Sequence, residues 1–360
     1  MKVKANPFLL EIENYVPGKS KIGGKKLIKL SSNENALGSS PKAIEAYKNH
    51  GEEIFRYPDG SCALLRATLS KKYKIPAEKI ICGAGSDEII AFLTSAFATI
   101  ADEIIYSEHG FLMYPISAKR IGANPIKVKE KNLKTDIEAI LAAITDKTKI
   151  IFIANPNNPT GSYLNKSELQ KLIDGTPKHI LIVLDHAYEE FVDSGETKDY
   201  PNAIELVNNH ENVVLTRTFS KIYGLASLRI GWSYSSKYIA EILNKIRGPF
   251  NVSAAAQAAA IAALEDEEFF IASKNHNKKW LKIFFEKLSK HKKIKLHPSI
   301  ANFILLDFGS SENCQKANEK ILDGGFILRE MSAYDLANCL RMTIGTEEEN
   351  LKILEILKNI

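Results

Sequence analysis

Three features of the sequence predict an α/β fold with a mostly parallel sheet. Between Asn124 and Gly231, β-type runs alternate with helical spacing: strands at 124–128, 149–153, 179–184, 212–216 and 228–233, helices at 135–144 and 166–174. That alternation is the mark of parallel strands joined by helical crossovers. The run Ile180–Leu184 is apolar throughout, as a strand buried on both faces requires. The runs also close on polar residues: Asn155 after Ala154, Asp185 after Leu184, Thr216 after Leu215. In an open α/β sheet that carboxyl edge is where ligands bind.

Taken in order, residues 1–40 read as an arm. It carries a Pro17-Gly18 turn, one short strand in KLIKL and a polar Asn33–Glu34–Asn35 cluster. A helix is expected at 41–50, with Pro41 in its first turn. The stretch IFRYPDGS holds a Pro-Asp-Gly turn, and helical spacing follows from Ala63 to Tyr73. In IICGAGSDEII a strand meets small residues and opens a helix. Glu88 stands where a dinucleotide fingerprint needs its third glycine. The stretch suits an anion cradle instead, with Gly85, Ser86 and Asp87 as backbone donors at a helix N-terminus; a plain helix start remains the other reading. A strand at 103–106 leads into SEHGFLMY. After the alternating region, Pro249 and Asn251 mark a change of style. An Ala-rich helix capped by Ser253, a long amphipathic helix over about 267–291, strands at 294–296, 302–307, 326–328 and 339–344, and a last helix at 347–358 predict a smaller α+β unit. The boundaries drawn are an arm at 1–40, a large domain at 41–247 and a small one at 248–360, with the arm packed on the small domain.

The 360 residues are 45% hydrophobic and 25% charged, ordinary for a globular chain with a sizeable core. A net charge of +5, spread out, gives no basis for a nucleic-acid partner. No segment reaches the ~18 unbroken apolar residues of a membrane span, and the start has no signal-length apolar core. Cys62, Cys82, Cys314 and Cys339 lack metal or CxxC spacing and read as buried thiols in a reducing compartment, so a cytoplasmic protein is expected. His109 and His186 have no second ligand at usable spacing, so no metal is assigned.

The chemistry concentrates in VVLTRTFSKIYGLASLRIGW, residues 213–232. Lys221 follows the hydroxyls of Thr216, Thr218 and Ser220, and Arg229 comes eight residues later. A lysine can condense with an aldehyde to give a Schiff base, and an arginine fork holds a phosphate. Solvated Lys221 and a surface ion pair for Arg229 are the plainer alternatives. Asp185 either caps the next helix or neutralises a buried cation. Arg341, inside an apolar strand, needs an anion: a ligand or a helix carboxylate.

Together, NPTG after one strand, DxAY after the next and SKxYGLxxLRxG after the third resemble the fold-type-I pyridoxal-5'-phosphate aminotransferases. The resemblance implies a seven-stranded, mostly parallel sheet with a smaller α+β domain. It implies Lys221 as the Schiff-base lysine and proton carrier. Asp185 would face the pyridine nitrogen, with Asn158 and Tyr188 on the ring hydroxyl, and Thr218, Ser220 and Arg229 on the phosphate. Phe111 would stack on the ring with Tyr114 on the same side, although HGF stands where many members have Pro-Thr-aromatic, so the stacking ring stays open. Tyr57 in RYPD would reach the cofactor phosphate of a neighbouring subunit, which implies a homodimer with shared sites.

The whole chain, through NYVPGKS, RYPDGS, ANFILLDF, GGFILRE and LRMTIGTEEEN, is similar to the histidinol-phosphate aminotransferases within that family. This implies transfer of an amino group between L-histidinol phosphate and 2-oxoglutarate, giving L-glutamate, in histidine biosynthesis. Arg341 and Arg329, with Tyr15, Asn158 and Tyr114, would bind substrate. An aromatic amino-acid transaminase or a decarboxylase of a phosphorylated amino acid would keep the same core residues. A ligand-binding protein would have no use for both Lys221 and Asp185.

Overall fold

The computed structural model describes residues 3–12, 21–22, 25–193 and 195–360. A two-stranded ribbon, β1 (Lys21–Ile22) with β2 (Lys25–Lys26), is followed by β3 (Ile28–Lys29). Helices α1 (Pro41–Asn49) and α2 (Ala63–Tyr73) lead to β4 (Ile80–Gly83), α3 (Ser86–Phe97), β5 (Glu103–Ser107), α4 (Met113–Arg120) and β6 (Asn124–Val128). A small hairpin, β7 (Glu130–Lys131) with β8 (Lys134–Thr135), precedes α5 (Ile137–Ala142), β9 (Thr148–Ala154), α6 (Lys166–Gly175) and β10 (Leu181–Asp185). Then come α7 (Ala203–Asn209), β11 (Val213–Thr218), β12 (Gly231–Tyr234) and α8 (Lys237–Ile246). The remainder is α9 (Ala254–Glu265), α10 (Glu267–Leu288), β13 (Lys295–His297), β14 (Phe303–Asp307), α11 (Ser311–Asp323), β15 (Phe326–Ile327), β16 (Arg329–Glu330), β17 (Cys339–Thr343) and α12 (Glu347–Lys358).

Seven strands form one sheet in the order β4-β12-β11-β10-β9-β5-β6. Every pairing is parallel except those of β12, which runs antiparallel to both β11 and β4. Strand alternation splits its side chains between two cores. Ile182, Leu184, Val213 and Leu215 join one apolar cluster, and Leu181, Val183, Phe152 and Val214 join the other. Burying each such side chain contributes roughly 1.5–3 kcal/mol. A second sheet, β13-β14-β17-β16, is antiparallel and packs Leu306, Leu340 and Met342 with Trp280, Phe284 and Leu357. β3, from the stretch read as an arm, pairs parallel with β15.

Helix starts follow local chemistry. Ser40, Asn165, Ser253 and Thr346 each accept a backbone N–H at an N-terminus, and Asn165–Glu168 and Thr346–Glu349 close full capping boxes. Several boundaries differ from expectation. The helix read at 135–144 spans Ile137–Ala142, because Asp136 caps it, accepting from Glu138 N and Ala139 N. The long helix stops at Leu288. β11 runs through Thr216 to Thr218 rather than breaking at Thr216, because Thr216–Thr218 pair in register with Ser233–Gly231 of β12. β12 starts at Gly231, not 228, since Arg229 takes a left-handed φ of 50°. The four cysteines are all buried and free. No helix among the described residues is long and apolar enough to cross a membrane.

Candidate active site

The carboxyl ends of β9, β10 and β11, the start of α3 and the edge of the second sheet enclose a cavity of about 330 Å³. Asp185, the last residue of β10, is 5% exposed. Its Oδ2 accepts from Tyr114 Oη at 2.8 Å and its Oδ1 from Thr216 Oγ1 at 3.3 Å. Burial still holds its carboxyl above the usual carboxylate range despite those donors. A buried carboxyl so placed favours a cationic N–H across from it. Tyr114 therefore serves the carboxyl directly, stacked on Phe152 with centroids 4.6 Å apart.

Lys221 follows β11. Its Nζ donates to Ser32 O at 3.2 Å and lies 5.6 Å from the centre of the Tyr188 ring. Burial, then the positive Arg341 and Arg229, push its ammonium down to about 8. An amine shifted this way is partly neutral, and nucleophilic, near physiological pH. Tyr188 is itself fixed by Asn33, whose Nδ2 donates to its hydroxyl at 2.9 Å. Asn33 adopts a left-handed φ of 56° and exchanges hydrogen bonds with Thr343.

At one end of the cavity α3 begins over Thr218, Ser220 and Arg229. Thr218 Oγ1 donates to Ser220 Oγ at 2.9 Å, and Arg229 Nη1 donates to the same oxygen at 3.2 Å. Arg229 Nη2 donates to Asp87 Oδ1 at 2.6 Å. A Cβ on Gly85 would sit 2.2 Å from Arg229 Nη2, and one on Gly231 would sit 2.6 Å from Ser86 N. The cradle thus exists because two residues lack side chains. Gly85 departs from its expected role in one respect: its N–H already donates to Gly83 O at 2.8 Å, which leaves Ser86 and Asp87 as the donors.

At the other end, Arg329 of β16 and Arg341 of β17 are direct cross-strand partners, and both line the cavity. The pairing sets two arginines on adjacent strands at this end of the cavity. Arg341 is 5% exposed; it donates to Asn158 Oδ1 and, through Nη2, to Ser31 O at 2.9 Å. Phe111 lines the cavity and meets Tyr114 edge-on, with centroids 5.8 Å apart. Tyr57 does not line this chain's cavity; it is 82% exposed and stacks on Phe250. Tyr15 lies outside the described residues. Sequence reasoning missed Ser31 and Ser32, which act through backbone carbonyls and so leave no side-chain signal.

The cavity thus places an amine between two cationic ends, with a carboxyl on its floor. A family model for aminotransferase class I and II matches residues 25–357. The chain belongs to the class I and II aminotransferases. It is 44% identical over 357 residues to a histidinol-phosphate aminotransferase of Rhodopseudomonas palustris, covering 98% of this chain and 97% of that one. It is 45% identical over 355 residues to one of Paramagnetospirillum magneticum, with the same coverage. The fold matches that of histidinol-phosphate aminotransferase from Sinorhizobium meliloti, solved with pyridoxal-5'-phosphate, at a TM-score of 0.90 and 23% identity over 100% of this chain and 98% of that one. For this aminotransferase the fold class expected from the sequence, a seven-stranded mostly parallel sheet with a smaller α+β part, holds.

Proposed function

We propose that this chain is a pyridoxal-5'-phosphate-dependent transaminase that moves an amino group between L-histidinol phosphate and 2-oxoglutarate, a step of histidine biosynthesis. The observation that carries the reading is the two-ended cavity: Arg229 at one end, the Arg329–Arg341 pair at the other, Lys221 between. Relatives of that activity at 43–45% identity support it. The cofactor phosphate fits the Ser86–Thr218–Ser220–Arg229 cradle, where a Cβ on Gly231 or Gly85 would intrude. Histidinol phosphate has no α-carboxylate; its phosphate takes the second cationic end.

Pyridoxal phosphate supplies an aldehyde that captures amines and a ring that takes up the electron pair when the α C–H bond breaks. The chain's residues do the rest. Asp185 holds a proton on the ring nitrogen, and Tyr114 and Thr216 fix its oxygens. Asn158 and Tyr188 would donate to the ring hydroxyl, and Phe111 would cover the ring face. Lys221 Nζ would be the acid–base group that takes up and returns the proton of the substrate α-carbon. Arg341 and Arg329 clamp the substrate phosphate.

The same reading makes the enzyme a cytoplasmic homodimer with shared sites. Ile54 (82% exposed), Phe55 (75%) and Tyr57 (82%) form an apolar surface beside Phe250 that a second copy would cover. Tyr57 would then reach the other protomer's cofactor phosphate, and Tyr15 would contribute to substrate binding. We divide the chain into an arm at 1–40 and domains at 41–247 and 248–360. A half-reaction tests the substrate assignment. L-Histidinol phosphate, added alone to the cofactor-loaded protein, should convert the bound cofactor to its amine form faster than phenylalanine, tyrosine or phosphothreonine. A faster aromatic amino acid, or release of carbon dioxide, would move the assignment to another enzyme of the same scaffold.

A further inference from the structure

Behind the ends of β10 and β11 lies a charged cluster that the proposed chemistry does not use. Alternation sends Asp185 and Thr216 to the face carrying Val183 and Val214, and His186 and Arg217 to the opposite face. His186 is fully buried and Arg217 is 4% exposed. The short turn Glu189–Phe191 brings two carboxyls to them. One oxygen, Glu189 Oε2, meets both strand ends: it accepts from His186 Nδ1 at 2.8 Å and pairs with Arg217 Nη2. Glu190 Oε1 stands 3.8 Å from Arg217 Nη1, and both Glu190 oxygens are buried without a hydrogen bond. The guanidinium lies 4.9 Å from the Tyr73 ring centre and 5.6 Å from that of Trp232.

Two buried carboxyls thus share one arginine, and only one has hydrogen-bonded geometry. A second bare charge there would be uncompensated. We propose that Glu189 is a positioning residue for Asp185, an ionised clamp tying the ends of β10 and β11 together from behind, while Glu190 beside it is the carboxyl that takes up a proton and becomes the neutral acid. The proposal rests on the reading of Asp185 as the carboxyl that faces the cofactor ring. The ionisation balance agrees. Burial opposes charge on Glu189, but Arg217 and His186 outweigh it and bring its carboxyl down to about 2. At Glu190 burial outweighs Arg217, and its carboxyl is pushed up to about 7. The other groups facing Glu190 are Lys72 and Tyr73 of α2, Tyr223 after Lys221, and Tyr200 before α7. On α10, Lys274 and Lys278 face Asp193 instead.

Two isosteric variants read the two halves. In the cofactor-loaded enzyme, Glu189→Gln should lower kcat by about 10²-fold, the usual effect of ~1 Å misplacement, with KM nearly unchanged. It should also shift the pH titration of the bound cofactor's absorbance, because a displaced Asp185 no longer fixes the ring proton. If Glu189→Gln fails to fold, Glu189→Asp, which withdraws the same charge by one methylene, replaces it with the same expected split. Wild-type kcat and an unchanged titration would overturn the clamp. For Glu190, thermal melts of the cofactor-free protein suffice. A raised carboxyl contributes stability that is full below its ordinary 4.5 and lost as the pH rises through about 7. Wild type should lose that stability across this window and Glu190→Gln should not. Identical pH dependence in the two proteins would overturn the neutral-acid half. The melts need no cofactor, so they judge Glu190 even if wild type fails to turn over histidinol phosphate.

Discussion

Gly231→Ala tests the phosphate cradle most directly. Gly231 opens β12 between Thr218 of β11 and Gly83 of β4. Its backbone needs no positive φ; what it needs is room. An added Cβ would lie 2.6 Å from Ser86 N, 2.8 Å from Gly85 C and 2.9 Å from Arg217 O. All three are backbone atoms, so no side chain can swing away. Ordinary contact begins near 3.4 Å, and the start of α3 must retreat by about 0.8 Å. An N–H···O contact of ~2.9 Å lengthened that much is no longer a hydrogen bond. Losing one such bond to a charged group costs about 1.5–3 kcal/mol, or roughly 10- to 100-fold in affinity. The overpacking itself should cost about 1–3 kcal/mol of stability. The assay is equilibrium titration of cofactor-free protein with pyridoxal phosphate, alongside a melt. Gly51→Ala, with nothing within 4 Å of the added carbon, is the control and should change neither. A Gly231→Ala protein that binds the cofactor within about 2-fold of wild type would refute the cradle.

The remaining expectations concern the amine, the substrate end and the oligomer. With Lys221 near 8 instead of 10.5, the rate at which cofactor-free protein captures pyridoxal phosphate should rise about tenfold per pH unit below 8 and flatten above it. Stopped-flow absorbance reads this; a rate still climbing at pH 10, or one kept by Lys221→Ala, would contradict the role of Lys221. Arg341→Lys keeps the charge but loses the fork that reaches both Asn158 and Ser31. It should raise KM for histidinol phosphate about 10- to 100-fold; an unchanged KM in steady-state assays would remove Arg341 from the substrate clamp. Tyr57→Ala should loosen the cofactor in a dimer and also favour monomers. Sedimentation read with cofactor titration would refute a shared site if a monomer bound with full affinity.

The parts of the site that were legible in the sequence are those where the chemistry dictates a residue type. A Schiff base needs a lysine, a protonated ring nitrogen a carboxyl, and a phosphate an arginine beside hydroxyls; Lys221, Asp185 and Arg229, read for those roles, line one cavity. Strand ends fix their spacing, so the motifs keep their order. The parts that were not legible depend on backbone atoms or on contacts across the sheet. Ser31 and Ser32 act through carbonyls. The Gly85 N–H was spent on Gly83 for reasons of local turn geometry. The strand expected to close at Thr216 runs on to Thr218 because β12 returns antiparallel alongside. Nothing in an apolar–hydroxyl pattern announces that partner.

Arg217 shows most sharply why part of the chemistry stayed hidden. It sits between Thr216 and Thr218, one residue from each, yet strand alternation turns it to the other face. The same step separates Asp185 from His186. A sheet that presents catalytic groups at its carboxyl edge therefore also presents, one residue away, positions that face the packed helices behind. Apolar side chains there would pack but would not fix one strand end against the next. A buried charge is costly unless paired, and it is directional when paired. The Glu189 oxygen that meets both His186 and Arg217 supplies that direction, and burial, by pushing the Glu190 carboxyl up to about 7, limits the uncompensated charge beside it.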